Sequence, residues 1–186
     1  MIKTIAIVAA GLLFSSEGVS AQSSSGTVRQ SQAHESAARF QIPKAMKIEH
    51  EELHADLARL IQLGGRTGDA AKVVEKVLHG HFVKEEEYAL PPLGLLVPLS
   101  QGKFEADMAE VLKMTDKLEA EMPTMLSEHK DIVAALTRLT EAAKAEDKPE
   151  GVHFAEKLTV HALAEEEITY PTALLIGRYV KNRLSR

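Results

Sequence analysis

The chain writes one pattern twice. HFVKEEEYALPP at 81–92 returns 80 residues later as HALAEEEITYPT at 161–172, with the histidine, the three glutamates and a proline in the same frame. A second pair lies upstream of the first: EHEELHADLARL at 49–60 matches EHKDIVAALTRL at 128–139 at Glu-His, at the leucine positions and at Arg-Leu. The spacing from His50 to His81 is 31 residues and from His129 to His161 it is 32. Each half therefore reads as a helical hairpin with one histidine on each arm, and two hairpins make a four-helix bundle.

The periodicity agrees with that arrangement. Ala45, Ile48, Leu53, Leu57, Leu60 and Ile61 recur at helical spacing, Pro43 suits a first turn, and Gly64-Gly65 is expected to stop this helix. A second helix is expected from Asp69, as a cap, towards Pro91-Pro92, followed by an apolar connector at 93–102. A further helical stretch from Lys103 to Glu121 is the extra segment between bundle helices two and three. Pro123 is expected to open the next helix, ending among Ala142 to Asp147, and the last helix runs from Pro149 past Pro171 with a kink there. No window shows sustained period-two alternation, so no strand is expected.

With 186 residues, 45 % of them hydrophobic, the chain has material for one sizeable core. A net charge of -5, with three tyrosines, five phenylalanines and no tryptophan, offers no basic, base-stacking surface and excludes nucleic acid as a partner class. The first 21 residues read as an export signal: Lys3 gives the positive start, Thr4 to Phe14 the apolar stretch, and Val19-Ser20-Ala21 the cleavage site. That run is about half the roughly 20 residues a membrane anchor needs, so no membrane partner is expected after cleavage. Residues 22–40 read as a flexible leader and 41–180 as the domain. The location implied is periplasmic or secreted, and the absence of cysteine fits an oxidising compartment.

Residues four apart on a helix share a face, so His81 points with Glu85 and His161 with Glu165. Glu86 and Glu87, each turned by a further step of about 100°, are expected towards the flanks and solvent. Leu53 and Leu57 follow His50 at three and seven positions, and Ile132 and Leu136 follow His129 in the same way, which puts both histidines on inward faces. Four histidines and two carboxylates are costly to bury without partners. A pair of metal ions satisfies all six, since imidazole suits iron, zinc and copper and a carboxylate can bridge two cations. A lone His-x3-Glu is ordinarily a weak surface pair. Repetition in register with a second repeated histidine separates the two readings. His54 shares a face with His50 and is a candidate fifth histidine ligand, although Val133 takes its place in the second half. His34, His79 and His153 read as solvated or capping residues.

Together EHEELH, HFVKEEEYALPP, EMPTMLSEHKDI and HALAEEEITYP resemble the hemerythrin-like, or HHE cation-binding, family over residues 45 to 176. The resemblance implies an up-down four-helix bundle holding two non-haem iron ions, with His50, His81, His129 and His161 as terminal ligands and Glu85 and Glu165 as bridges. Zinc, copper or manganese are alternative occupants. The oxygen-carrying members use a histidine pair on the third helix and an aspartate on the fourth, whereas here His129 is followed by Val133 four residues on. The implied role is thus binding or sensing of dioxygen, nitric oxide or iron, with a small diatomic ligand or peroxide as partner. A di-iron oxidase or peroxidase-like enzyme is the alternative, and a helical interaction protein with a vestigial polar interior a third class. Ferritin-like di-iron bundles write Glu-x-x-His, the reverse order. The signal lacks a twin arginine, so metal would load outside the cytoplasm, where copper and zinc compete with iron.

Overall fold

The computed structural model describes residues 40–186. The expected export signal at 1–21 and nearly all of the leader at 22–40 lie outside the described residues. Within them the protein is all-α, with no strand, and no helix is long and apolar enough to cross a membrane.

Helix α1 is Lys44–Gln62 and α2 is Gly65–Lys84, which continues into a wider π turn at Glu85–Ala89. A 3-10 turn at Pro91–Leu95, the short α3 at Leu96–Ser100 and a second 3-10 turn at Ala106–Glu110 lead to the long α4, Val111–Ala145. Helix α5 is Pro149–Ala164, followed by a second π turn at Glu165–Thr169 and by α6, Tyr170–Leu184. Four helices close a ring of contacts, α1 on α2, α2 on α4, α4 on α5 and α5 on α1, while α6 packs on α4.

Three expectations about boundaries are corrected. The second helix starts at Gly65, four residues before Asp69, because its free N–H groups are met from elsewhere. Glu146, just past the end of α4, accepts from the Arg66 and Thr67 amides at 2.8 and 2.9 Å and from the Thr67 hydroxyl at 2.7 Å. Asp69 instead pairs with Lys72 on the surface. Gly64 and Gly65 both take positive φ, and a Cβ on Gly65 would stand 2.8 Å from Glu146 Oε1, so this pair makes the turn and the capping contact together. Pro123 does not open a helix but lies inside α4. It is exposed, as is Glu119, whose carbonyl loses its donor, while buried Leu118 and Met125 hold the helix on either side. The expected connector at 93–102 is itself mostly helical, with Leu93 and Leu95 buried.

The apolar core falls into two clusters. One joins Leu53, Leu57, Val74, Leu78, Phe82, Ile132, Leu136, Phe154 and Leu158; the other joins Tyr88, Leu90, Leu95, Met108, Leu118, Met125, Tyr170 and Ile176. Each fully buried leucine or phenylalanine contributes about 1.5–3 kcal/mol against exposure, so both clusters are strongly held. On every helix of the ring a predicted polar residue falls between the two: His50 between Met46 and Leu53, Glu85 between Phe82 and Tyr88, His129 between Met125 and Ile132, and Glu165 between Leu158 and Tyr170, with His81 and His161 one turn before the glutamates.

Candidate metal centre

The local backbone is unusual where the glutamate runs begin. Leu90 donates its N–H to the Glu85 carbonyl at 2.9 Å, and Tyr170 donates to the Glu165 carbonyl, each one residue further back than in an α-helix. A proline follows at once, Pro91 and Pro171. A proline ring crowds the carbonyl four residues before it and supplies no N–H, and a one-residue widening of the turn relieves the conflict. The repeated proline thus accompanies a π turn beginning at Glu85 and at Glu165, and in the last helix this irregularity lies just ahead of Pro171, where a kink was expected.

All six predicted residues are buried, His161 being the most exposed at 6 %. They form two groups, His50, Glu85, His161 and Glu165 in one and His81, Glu85, His129 and Glu165 in the other, and within each group one ligand atom per residue lies within 4.8 Å of the rest. Glu85 and Glu165 belong to both. His161 Nε2 stands 2.8 Å from Glu165 Oε1, His50 Nε2 3.7 Å from Glu85 Oε2, His129 Nε2 3.4 Å from Glu165 Oε2 and His81 Nε2 3.6 Å from Glu85 Oε1. His54 is not brought in: it is exposed and lies edge-on to Phe82, outside both groups. His79 and His153 are exposed as well.

An outer layer of carboxylates, absent from the sequence reading, orients the rings. His50 Nδ1 faces Glu86 at 3.2 Å and His129 Nδ1 faces Glu166 at 2.8 Å; His81 Nδ1 faces Glu128 at 3.0 Å and His161 Nδ1 faces Glu49 at 3.4 Å. The expectation that Glu86 is only a solvated neighbour is therefore corrected: its side chain is partly exposed, yet its carboxylate ends on His50. Glu87 does turn outward, to Lys117. The twofold correspondence is complete, since Glu86 and Glu166 are the second glutamates of the runs and Glu49 and Glu128 precede the repeated histidines. The doubled Glu-His dipeptide was the available signal. An ionised carboxylate only accepts, so each Nδ1 carries a hydrogen and each Nε2 is turned inward, where a neutral ring offers its lone pair. Phe82 stacks on His50 with ring centres 4.1 Å apart and fixes the plane of that ring.

Charge is distributed unevenly over the cluster. Burial, then the Glu165 charge beside it, pushes the Glu85 carboxyl well above the usual range. Burial acts the same way on Glu165, but His129, His161 and His50 outweigh it and hold Glu165 well below that range. Burial lowers His81 despite Glu128, whereas at His129 burial is overcome by Glu165 and Glu166 and the ring is held above its ordinary value. The Nε2 atoms of His81 and His129 lie 2.8 Å apart.

Whether cations fit can be judged from the atoms left bare. His50 Nε2, Glu85 Oε2, His161 Nε2 and Glu165 Oε1 are buried with no hydrogen-bond partner, and the 2.8 Å approach of His161 to Glu165 lacks hydrogen-bond alignment. Four inward polar atoms without a partner are expensive in an interior. A cation held at about 2.0–2.2 Å by nitrogen and oxygen would use all four. Tyr170, also not foreseen, donates to Glu85 Oε1 at 2.6 Å and stands 3.3 Å from both His81 Nε2 and His129 Nε2.

Comparison with known protein families, with curated proteins and with solved structures yields no match. What the described residues define is an all-α protein whose buried histidine and glutamate groups could hold metal.

Proposed function

We propose that this is a hemerythrin-like protein: an up-down four-helix bundle of α1, α2, α4 and α5 in which His50, His81, His129 and His161 are terminal ligands and Glu85 and Glu165 bridge two non-haem iron ions. The observation that carries this reading is the sharing of both glutamates by the two four-residue groups. The up-down course is supported by the order of the clusters along the chain, because α1 and α4 pass the polar layer in one sense and α2 and α5 in the other. Iron, when bound, would supply redox chemistry and affinity for diatomic ligands. The chain's own residues do the rest. The Nδ1 carboxylates hold the tautomer, the two apolar clusters exclude water from either side, and the π turns set the bridging glutamates.

The role proposed is binding or sensing of dioxygen, nitric oxide or iron after export. Iron-loaded full chain exposed to dioxygen, nitric oxide and peroxide in turn should change its visible charge-transfer absorption reversibly and without turnover. Sustained peroxide consumption would move the protein to the oxidase or peroxidase class. Stoichiometric zinc in protein taken from its native compartment, with no redox response, would overturn the iron reading.

A further inference from the structure

The two halves of the site repeat each other at the six candidate ligands but not at every residue around them, Phe82 standing against Ala162 and Leu90 against Tyr170. Superposing Glu85 on Glu165 by sequence sets Leu90 against Tyr170, so one half offers an aliphatic side chain where the other offers a hydroxyl. That hydroxyl lies against Glu85, His81 and His129. All four unpartnered buried atoms are on the opposite side, in the group of His50 and His161.

Access divides the halves in the same sense. A surface cleft of about 440 Å³ between α1 and α5 is lined by Met46, Glu49, Val160 and Ala164 and reaches His161 and Glu165. Around Tyr170 the surroundings are closed, with Tyr88, Leu118 and Met125 all buried and the Tyr88 hydroxyl turned onto Met125 Sδ at 3.4 Å. Neither His81, His129 nor Tyr170 lines the cleft.

Resting on the two-metal reading, we infer that the two metal positions are unequal: a small anion or diatomic ligand enters by the α1–α5 cleft and binds at the His50/His161 position, while the Tyr170 hydroxyl fills the matching place at His81/His129. The repeat supplies two equivalent ligand sets, and Tyr170 makes one of them the reactive side.

Azide titration of the iron-loaded full chain, followed by absorbance alongside elemental metal content, tests this. Wild type should bind one azide per chain. Tyr170→Phe, and Tyr170→Leu as a copy of the residue at the matching place, should retain both metals and bind a second azide. Val160→Trp, which narrows the cleft from an exposed position, should slow azide association about tenfold at unchanged metal content, a barrier change of about 1.4 kcal/mol. Equal azide stoichiometry in wild type and both Tyr170 variants overturns the inference, as does an unchanged rate in Val160→Trp. Wild-type protein holding fewer than two metals would instead remove the two-metal reading beneath it.

Discussion

Replacing Glu128 by glutamine keeps the shape of the side chain and removes the charge that His81 Nδ1 faces at 3.0 Å. The carboxylate is 28 % exposed, and although burial opposes ionisation, Lys84 and His81 together hold it below the usual range, so it is charged at neutral pH. A charge-assisted hydrogen bond is about twice as strong as a neutral one. Loss of such a partner to a metal-bound imidazole costs about 10–100-fold in metal affinity, or about 1.4–2.8 kcal/mol. The other carboxylates rank by geometry: Glu166 at 2.8 Å should matter as much as Glu128, Glu86 at 3.2 Å less, and Glu49, at 3.4 Å and 44 % exposed, least. Competition against a chromophoric chelator with redox-silent zinc measures the affinity directly. Urea unfolding of the metal-free protein measures the separate loss of the Lys84 pair, about 1 kcal/mol or less for a partly exposed ion pair. Glu87→Gln, whose carboxylate reaches only Lys117, is the control. Equal affinities in Glu128→Gln and Glu87→Gln would refute the role given to the outer carboxylates.

Glu85→Ala and Glu165→Ala should each abolish the di-metal absorbance, because each removes a ligand common to both groups, while Glu87→Ala keeps it; identical spectra in all three would reduce the glutamate runs to bulk charge. Glu146 is held down to about 2 by its bonds to Thr67 and Arg66, against an ordinary value of 4.5. A lowered folded-state value means that its stabilisation is complete above about 4.5 and is lost as pH falls towards 2, so the stability gap between wild type and Glu146→Gln should close across that window in urea titrations. A gap that persists unchanged to pH 2 would contradict the capping role. In Gly177→Ala the new Cβ would stand 2.3 Å from Thr115 Oγ1 and 2.7 Å from Thr115 Cβ, where α6 meets α4. The overpacking, about 1–3 kcal/mol, should outweigh the helix-propensity gain of up to about 1 kcal/mol and lower the midpoint of thermal unfolding.

The six inward residues were legible because helical spacing alone sets His81 over Glu85 and His161 over Glu165, and because the repeat places His50 and His129 on the partner arms. Local rules failed where a distant group takes over. Asp69 has the chemistry of a cap, but Glu146, about 80 residues away in sequence, already satisfies the amides at the start of α2. Pro123 looks like a helix start until its exposed position in a helix buried on both sides is known. Glu86 and Glu166 follow the ideal periodicity outward, yet a flexible glutamate at the rim reaches back to a ring on the neighbouring helix. Tyr170 carries no spacing signal, since its half-repeat counterpart is leucine. Only the packing of the second cluster turns its hydroxyl onto Glu85.

The central claim is a two-metal centre with shared carboxylates, and metal content per folded chain tests it most directly. After anaerobic reconstitution with ferrous iron and removal of excess, elemental analysis should find two ions per chain, one for each of the two four-residue groups. A chain that remains folded by circular dichroism and retains no metal, or retains a single ion at saturating iron, would contradict it.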